Sequence, residues 1–332
     1  MNSGRVVKAA AVQAASAFLS RDGGIDRVIQ LLEECAEQGV DLAVFPESFI
    51  PGHPLWLHFW PVNDRRSIDA YQLLFSQAVE VPGPDVDRLC RAAARVGIDV
   101  VVGVTEKRPG STGTLFNTQL FISREGRMVG KHQKLVPTVR EKIVHAPGGG
   151  DTFDSFPMPT ARIGGLICGE NSNPLAVYAL QALDEAIHAA SWPPFMGFKP
   201  VAPVVGFVSQ SLAYSGHVHV VNSVGLVDDT FFDFMDGDVE PDDLVPVTGG
   251  SSIVDPFGRF VAGPLPQGEP GIAVADLDLE SAVRAKLSHD FTGHYNRFDV
   301  FELHLKRTPQ RPIVIDDGTP GDVQTAGEEG VG

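Results

Sequence analysis

Short apolar segments alternate along this chain with amphipathic segments that have the period of a helix. Residues 24–38, 84–96 and 174–187 each place apolar side chains on one helical face and polar or charged side chains on the other. Further segments are short, rich in β-branched residues and bounded by Gly, Pro or Asp, which is typical of buried strands. They are residues 6–13, 40–45, 98–106, 117–123, 161–168, 217–225, 251–255 and 271–277. This alternation predicts an α/β architecture whose sheet is largely covered by helices.

Two ten-residue segments, 121–130 and 253–262, resemble each other. Each has the pattern of a strand, a short turn containing Gly-Arg, and a second strand, so both are predicted to be β-hairpins. Two similar halves packed sheet against sheet would explain the likeness. Ten residues alone do not establish a duplication.

No linker interrupts the chain before its C-terminal end, and residues 1–307 are therefore predicted to form a single domain. From Thr308 onward the sequence is rich in Pro, Gly and acidic residues. Such a segment buries too little apolar area to offset the entropy of ordering it. We expect residues 308–332 to form a mobile acidic tail.

The charge balance excludes several classes of partner. The 332 residues include 26 Lys and Arg against 42 Asp and Glu, which gives a formal net charge of −16. A surface with this negative net charge repels phosphate backbones and anionic lipids, so neither nucleic acid nor a membrane is expected as a partner. No stretch approaches the ~20 apolar residues that span a bilayer.

The N-terminus and the cysteines bear on the cellular compartment. A basic start and the run AAAVQAASAF suggest a secretory signal, but Gln13 interrupts the run, and a strand over residues 6–13 is the preferred interpretation. Three cysteines are too few and too scattered for a disulfide framework or a Cys-rich zinc site. A cytoplasmic location fits them best.

Cys168 stands where a predicted buried strand ends and a helical pattern begins. It closes the segment ARIGGLIC, and GENSNP separates it from the helix. Such a residue projects from the sheet edge, where helix N–H groups would favour a thiolate and stabilise an oxyanion beside it. The alternative is a buried cysteine that only fills space, which is the better interpretation for Cys35 and Cys90 on their helical faces.

Two other residues would supply the groups that activate a thiol. Glu47 follows VDLAVFP at the exit of a buried strand, where a base would lie, and a helix cap or turn residue is the alternative. Lys134 lies in GKHQKLVPT beside an apolar flank, although a solvated lysine is the more common reading of such a residue alone. Together a nucleophile, a base and a cation at strand ends indicate acyl-transfer chemistry.

The segments around these three residues resemble those of a known family. FPESF (45–49), KHQKLVPT (131–138) and LICGENSNP (166–174) are similar to the blocks around the Glu-Lys-Cys triad of the nitrilase superfamily, in its order and approximate spacing. Further segments resemble the nitrilase branch of these carbon-nitrogen hydrolases. They are PGHPLW (51–56), HAASWPPF (188–195) and GHYNRFDVF (293–301).

The resemblance implies a fold and a set of roles. The fold is the four-layer α-β-β-α sandwich of that superfamily, which agrees with the paired hairpins. Cys168 would be the nucleophile, with Glu47 as the base and Lys134 as the cation. Glu141 matches the additional active-site glutamate of the superfamily. The resemblance also implies a homo-oligomer, a dimer or larger, and no metal or organic cofactor is required because the nucleophile belongs to the chain.

The substrate pocket is predicted from residues beside the triad. Trp56 closely follows Glu47, and Trp192 lies in a family-like segment after the cysteine helix, so both are candidates for the pocket wall. Aromatic residues of this kind more often belong to a core. Glu170 matches the residue that the nitrilase branch carries at this position. Gly169 departs from it, because nitrilases commonly carry a bulky aromatic there, and the missing ring leaves room or alters a pocket wall.

Two other patterns carry less weight. His217 and His219 would share one face of a strand and could ligate a metal, but no third ligand occurs at a suitable spacing, so a core or interface pair is favoured. The run GGG at 148–150 lacks the Lys-Ser/Thr of a phosphate-binding loop.

The sequence is compatible with three functions. The resemblance favours a nitrilase that converts an organic nitrile into its carboxylic acid and ammonia through a cysteine thioimidate and thioester. An amidase or carbamoylase would use the same triad, and its first covalent intermediate would already be the acyl thioester. The third is a non-catalytic assembly protein with the same fold, and the intact Glu-Lys-Cys set argues against it.

Overall fold

The structure is a computed structural model that describes residues 5–194, 201–239, 249–309 and 312–313. The predicted acidic tail, residues 308–332, lies almost entirely outside the described residues. Within the described part of the chain, no helix combines the length and apolar character needed to cross a bilayer.

The chain alternates strands and helices as the sequence pattern predicts. The strands are β1 (Val6–Gln13), β2 (Leu42–Val44), β3 (Val79–Glu80), β4 (Asp99–Lys107), β5 (Leu115–Ser123), β6 (Arg127–Gln133), β7 (Phe156–Pro157), β8 (Arg162–Ile167), β9 (Ile187–Trp192), β10 (His219–Val224), β11 (Ser252–Val254), β12 (Phe260–Ala262) and β13 (Gly271–Asp278). The helices are α1 (Arg21–Glu37), α2 (Arg65–Gln77), α3 (Pro84–Val96), α4 (Pro174–Ala182), α5 (Val201–Gly216), α6 (Asp229–Met235) and α7 (Glu280–Lys286).

The strands form two mixed sheets. The first has the order β13-β1-β2-β4-β5-β6, with β3 paired to β4, and the second has the order β12-β11-β10-β9-β8-β7. Parallel pairs lie at the centre of each sheet, β1-β2-β4 in the first and β8-β9-β10 in the second. The carboxyl ends of neighbouring parallel strands therefore meet at one edge of each sheet.

The two sheets pack face to face through a core of small and branched side chains. Ala11, Val44 and Val101 of the first sheet belong to the same buried cluster as Ile163 and Val221 of the second. Helices α1 and α3 cover the outer face of the first sheet, and α4 and α5 cover that of the second. This arrangement is the predicted four-layer α-β-β-α sandwich, and the predicted fold class is confirmed.

The apolar faces predicted for the helices explain how the outer layers pack on the sheets. The stripe of α1 places Ile25, Leu32 and Cys35 in the core beneath it. The Ser20 side chain accepts a hydrogen bond from the Gly23 N–H and caps this helix. Cys90 lies in the same core on α3, so both helical cysteines are buried among apolar side chains as predicted.

Some predictions need correction. The helix predicted over 174–187 ends at Ala182, and Ile187 begins β9, a strand that the sequence pattern did not reveal. His217 lies before β10, so the two histidines do not share a strand face. The His217 Nδ1 instead bonds the Pro256 carbonyl oxygen at 3.0 Å. Both predicted hairpins are confirmed, as β5-β6 and β11-β12.

Candidate active site

Cys168 lies at the carboxyl end of β8, where the sequence pattern placed it. Strand β8 ends at Ile167, and Cys168 opens a short 3-10 helix, Cys168–Ser172, with a φ of 54°. A non-glycine residue at positive φ is strained, and such strain is concentrated at functional sites. The backbone therefore changes direction sharply where β8 ends, at the edge of the sheet.

The Cys168 side chain is more buried than the sequence pattern suggested. Burial raises the pKa of its thiol to about 12, and the nearby charge of Glu47 acts in the same direction. Lys134 and a hydrogen bond with the Gly169 backbone oppose the rise without cancelling it. Burial therefore outweighs the N–H groups that favour a thiolate: the raised pKa keeps Cys168 protonated near neutral pH, and the thiol needs a base to become a nucleophile.

Glu47 follows β2 and reaches the same region from the other sheet. Its backbone N–H donates to the Trp192 carbonyl oxygen at 3.2 Å, which ties the two sheets together at this point. Its Oε1 accepts hydrogen bonds from Asn117 Nδ2 at 2.6 Å and from Lys134 Nζ at 2.7 Å. Its Oε2 is buried and has no hydrogen-bond partner among the described residues.

The pKa of Glu47 is raised to about 7. The main cause is burial, which disfavours the charged form, and the charge of Glu141 adds to it. Lys134 and the Asn117 hydrogen bond act in the opposite direction. A carboxyl group with this pKa changes protonation state near neutral pH, as a general acid–base group must.

Lys134 is buried between two carboxylates. Its Nζ lies 2.7 Å from Glu47 Oε1 and 2.7 Å from Glu141 Oε2, and its side chain is 1% exposed. Burial alone would lower the pKa of this amine, but the charges of the Glu47 and Glu141 carboxylates outweigh burial and raise it. Lys134 therefore stays protonated and brings one positive charge to the site.

Glu141 holds the lysine from the opposite side. Its Oε1 accepts from Asn117 Nδ2 at 2.7 Å and lies 3.1 Å from His145 Nδ1. Its Oε2 accepts from the Thr138 backbone N–H at 2.9 Å as well as from Lys134. Burial would raise the pKa of this carboxyl, but the His145 hydrogen bond and the Lys134 charge more than offset burial and lower it. Glu141 is thus an ionised anchor whose two oxygens are both occupied.

Three residues of this cluster were not predicted. Asn117 at the start of β5 donates to both glutamates, and His145 supports Glu141. The Nδ1 of His53 lies 3.8 Å from Glu47 Oε1, and burial lowers the pKa of its imidazole to about 3, so this ring is neutral. His53 belongs to PGHPLW, which was singled out only as a family-like segment, and nothing local distinguishes the neutral Asn117.

The two residues after the cysteine have different settings. Gly169 is exposed, and a Cβ added there would meet only Thr138 Oγ1, at 3.9 Å, so the structure has room for a side chain. Glu170 is buried, and its carboxylate accepts from the Leu135 N–H at 2.7 Å and the Ile167 N–H at 3.0 Å. His132 Nε2 also lies 3.0 Å from this carboxylate. Its two oxygens are therefore bonded to the protein.

Both tryptophans predicted for the pocket wall are buried. Trp192 ends β9, and its indole N–H donates to Asn222 Oδ1. Trp56 packs edge-on against Phe18 with 6.2 Å between ring centroids, within an aromatic cluster that α6 also joins through Phe231. The placement of Trp56 matches the core interpretation, and a pocket role for either ring stays a prediction.

Comparisons with known proteins decide the family. A sequence model of the family described as carbon-nitrogen hydrolase matches residues 8–287. The chain belongs to the carbon-nitrogen hydrolase family. This hydrolase is 34% identical to Nitrilase 2 of an unknown prokaryotic organism, over 93% of this chain and 96% of the relative. It is also 34% identical to an aliphatic nitrilase of Rhodococcus rhodochrous, over 92% of this chain and 84% of the relative.

The same family appears among solved structures. The hydrolase superposes on the crystal structure of a carbon-nitrogen hydrolase from Helicobacter pylori G27 with a TM-score of 0.67, covering 86% of this chain and 93% of the other. The two sequences are 17% identical, so this likeness supports the fold alone. The predicted resemblance to the nitrilase branch is confirmed by the sequence relatives.

Proposed function

We propose that this carbon-nitrogen hydrolase converts an organic nitrile into its carboxylic acid and ammonia, with Cys168 as nucleophile, Glu47 as general base and Lys134 as the stabilising cation. The named nitrilases among its relatives support the substrate class. The geometry of Glu47 carries the proposed roles. One carboxylate oxygen is held by Lys134 and Asn117, while the other is buried with no bonded partner among the described residues and is available to a proton.

The first half of the reaction forms a thioimidate. Glu47 removes the proton of the Cys168 thiol while the sulfur attacks the nitrile carbon, and one C–N π bond passes its electron pair to nitrogen. The proton held by Glu47 then moves to that nitrogen. Lys134 stabilises the negative charge as it develops, together with backbone N–H groups after the cysteine.

The second half adds two waters. Glu47 deprotonates the first water, which attacks the thioimidate carbon, and the tetrahedral intermediate expels ammonia to leave a thioester. A second water, activated in the same way, releases the carboxylic acid and returns the thiol. Expulsion of the thiol at the tetrahedral stage would instead release an amide. Glu141 anchors Lys134, and Glu170 holds the backbone on both sides of the site.

Matched nitrile and amide substrates test this proposal. We expect ammonia release from aliphatic, aromatic or arylacetonitriles to exceed that from the corresponding amides, with acid and amide products quantified separately. Acid quenching during turnover should trap a substrate-derived mass increase on the Cys168 peptide. Equal or faster turnover of the amides would favour an amidase, and an adduct on Cys35 or Cys90 would contradict the assigned nucleophile.

Activity should rise with pH through about 7. Burial raises the pKa of Glu47 to about 7, and only the ionised carboxylate can accept the thiol proton. The thiol, with its pKa raised to about 12, stays protonated across this range and does not compete. The value of kcat/KM should therefore climb roughly tenfold per pH unit below the Glu47 pKa and level off above it. A flat or falling profile between pH 6 and pH 8 would contradict this assignment.

Substitution of Gly169 should change the substrate range. A Cβ at Gly169 would have open space around it, and we expect the ring added in Gly169→Trp to occupy that space and to narrow the route to the sulfur of the neighbouring Cys168. We expect kcat/KM for a bulky arylacetonitrile to fall by roughly tenfold or more, with little change for a nitrile of two or three carbons. Gly169→Ala is the control, since its Cβ fits without a close contact. Equal losses for small and bulky nitriles would show a general disturbance of the site instead.

We also propose that the enzyme acts in the cytoplasm as a homo-oligomer of two or more copies. The three cysteines are free thiols, which suits a reducing compartment. Phe298, Val300 and Phe301 are each more than half exposed, and a second copy would remove this apolar surface from water. Light scattering at micromolar concentration should give a mass of at least twice 35.6 kDa. A monomer at that concentration would contradict the proposed assembly.

A further inference from the structure

A chain of buried polar side chains runs from the Cys168 backbone into the second sheet. Asn171 Nδ2 donates to the Cys168 carbonyl oxygen at 2.9 Å and to the Leu166 carbonyl oxygen at 3.3 Å. Asn171 Oδ1 lies 2.9 Å from His188 Nε2, and His188 Nδ1 lies 2.9 Å from Glu185 Oε2. The side chains of His188 and Glu185 are completely buried. The proposed reaction steps use none of these three side chains.

The hydrogen-bond donors and acceptors of these three side chains determine where their protons lie. The Asn171 amide N–H group faces two carbonyl oxygens, so Oδ1 must accept, and His188 must carry a proton on Nε2. The contact between His188 Nδ1 and Glu185 then holds one further proton, on the ring or on the carboxyl. Without it, a carboxylate oxygen would face a nitrogen lone pair. The hydrogen bonds of Asn171 therefore each have one direction, and its amide has one orientation.

Asn171, at one end of this hydrogen-bonded chain, bonds the strained residue of the site, Cys168. Cys168 has a φ of 54°, in a region that is unfavourable for a non-glycine residue. Such a conformation persists only where the surroundings enforce it. Asn171 holds the carbonyl of that residue, and His188 on the central strand β9 holds Asn171. The strained turn is thereby fixed to the rigid middle of the second sheet.

We propose that Asn171, His188 and Glu185 form a positioning chain that holds Cys168 in the backbone conformation from which its sulfur reaches substrate and Glu47. This inference deepens the proposed function and rests on it. Asn171 bonds the backbone of the nucleophile, and His188 and Glu185 act on that backbone through Asn171 rather than on the reacting atoms. They are therefore positioning residues, and their loss should lower the reactivity of the sulfur and leave substrate binding largely intact.

The test compares two buried histidines on neighbouring strands. His188→Leu breaks the hydrogen-bonded chain. His219→Leu removes a buried histidine of β10 whose ring bonds the Asp278 carbonyl and Ser281, and no hydrogen bond among the described residues links that ring to Cys168. Asn171→Ala breaks the hydrogen-bonded chain at the end that contacts Cys168. Glu185→Gln preserves it, because an amide N–H can donate to Nδ1 and leave the proton of His188 on Nε2.

Two readouts are needed for each variant. One is kcat and KM with the best nitrile. The other is the rate at which iodoacetamide alkylates Cys168, followed by mass spectrometry of its peptide, with circular dichroism to confirm folding. The alkylation rate does not depend on which substrate the enzyme turns over, so a failure of the proposed function leaves this readout intact.

We expect His188→Leu and Asn171→Ala to lower both kcat and the alkylation rate by about 10- to 100-fold, with KM within about threefold of the unchanged enzyme. Glu185→Gln should retain both rates within about threefold. His219→Leu should lower thermal stability and leave both rates unchanged. The proposal is overturned if His188→Leu affects the sulfur no more than His219→Leu does. If His188→Leu does not fold, Asn171→Ala with unaltered Cys168 reactivity overturns it equally.

Discussion

Glu47→Gln is expected to lower kcat by about 10²- to 10⁴-fold, the range associated with loss of a positioned general base. The substitution preserves the shape of the side chain, and the remaining carbonyl oxygen can still accept from Asn117 and Lys134. What changes is the second oxygen, which is buried without a bonded partner among the described residues. An amide nitrogen in its place cannot take a proton from the thiol or from water. The rise in rate with pH through about 7 should disappear in this variant.

A matched control exists in the same sheet. Glu106 is also buried, and it is also bonded to a lysine, Lys131, and to a side-chain amide, that of Gln133. Glu106→Gln makes the same chemical change in a similar setting, outside the proposed site. It should cost stability with little loss of kcat per folded molecule. Comparable losses of kcat in the two variants would mean that Glu47 is a structural residue and not the base.

The parts of the site that the sequence predicts are those with a local signature. Cys168 was found because an apolar run with β-branched residues ends at it, and the structure ends β8 at the preceding residue. The apolar stripes of α1 and α3 predicted helices because burial of one face needs a 3.6-residue repeat. Strand β9 has no such local signature, because HAASW is rich in small residues and follows an apolar helix without a clear break.

The rest of the site arises only when distant segments meet. Asn117 has no charge and no motif, yet it bonds both glutamates because β5 brings it between them. The expectation that N–H groups favour a thiolate at Cys168 follows from its nearness to a helix start. Packing of the two sheets around the side chain has the larger effect, because it removes water and raises the pKa of the thiol. Burial of this kind depends on the whole sandwich and is invisible in one segment.

Lys134→Met should damage both catalysis and folding. Loss of the cation removes the charge that stabilises the developing anion, an effect worth about 10²- to 10³-fold in kcat. It also leaves Glu47 and Glu141 buried side by side without their shared partner, and breaking a buried ion pair in this way costs about 3–5 kcal/mol. Because Lys134 holds the pKa of Glu47 down, its removal should raise that pKa further. Residual activity should therefore shift to higher pH.

The stability loss in Lys134→Met should itself depend on pH. A carboxyl whose pKa is higher in the folded state than in the unfolded chain binds its proton more tightly when folded, so stability falls as pH rises toward the folded-state pKa. Denaturant midpoints should accordingly differ more from the unchanged enzyme at pH 8 than at pH 6. Lys131→Met is the control, since it removes a cation from Glu106 and should spare kcat. If Lys134→Met kept kcat within tenfold while folded, the lysine would be a structural counter-ion, and charge stabilisation would have to come from backbone donors alone.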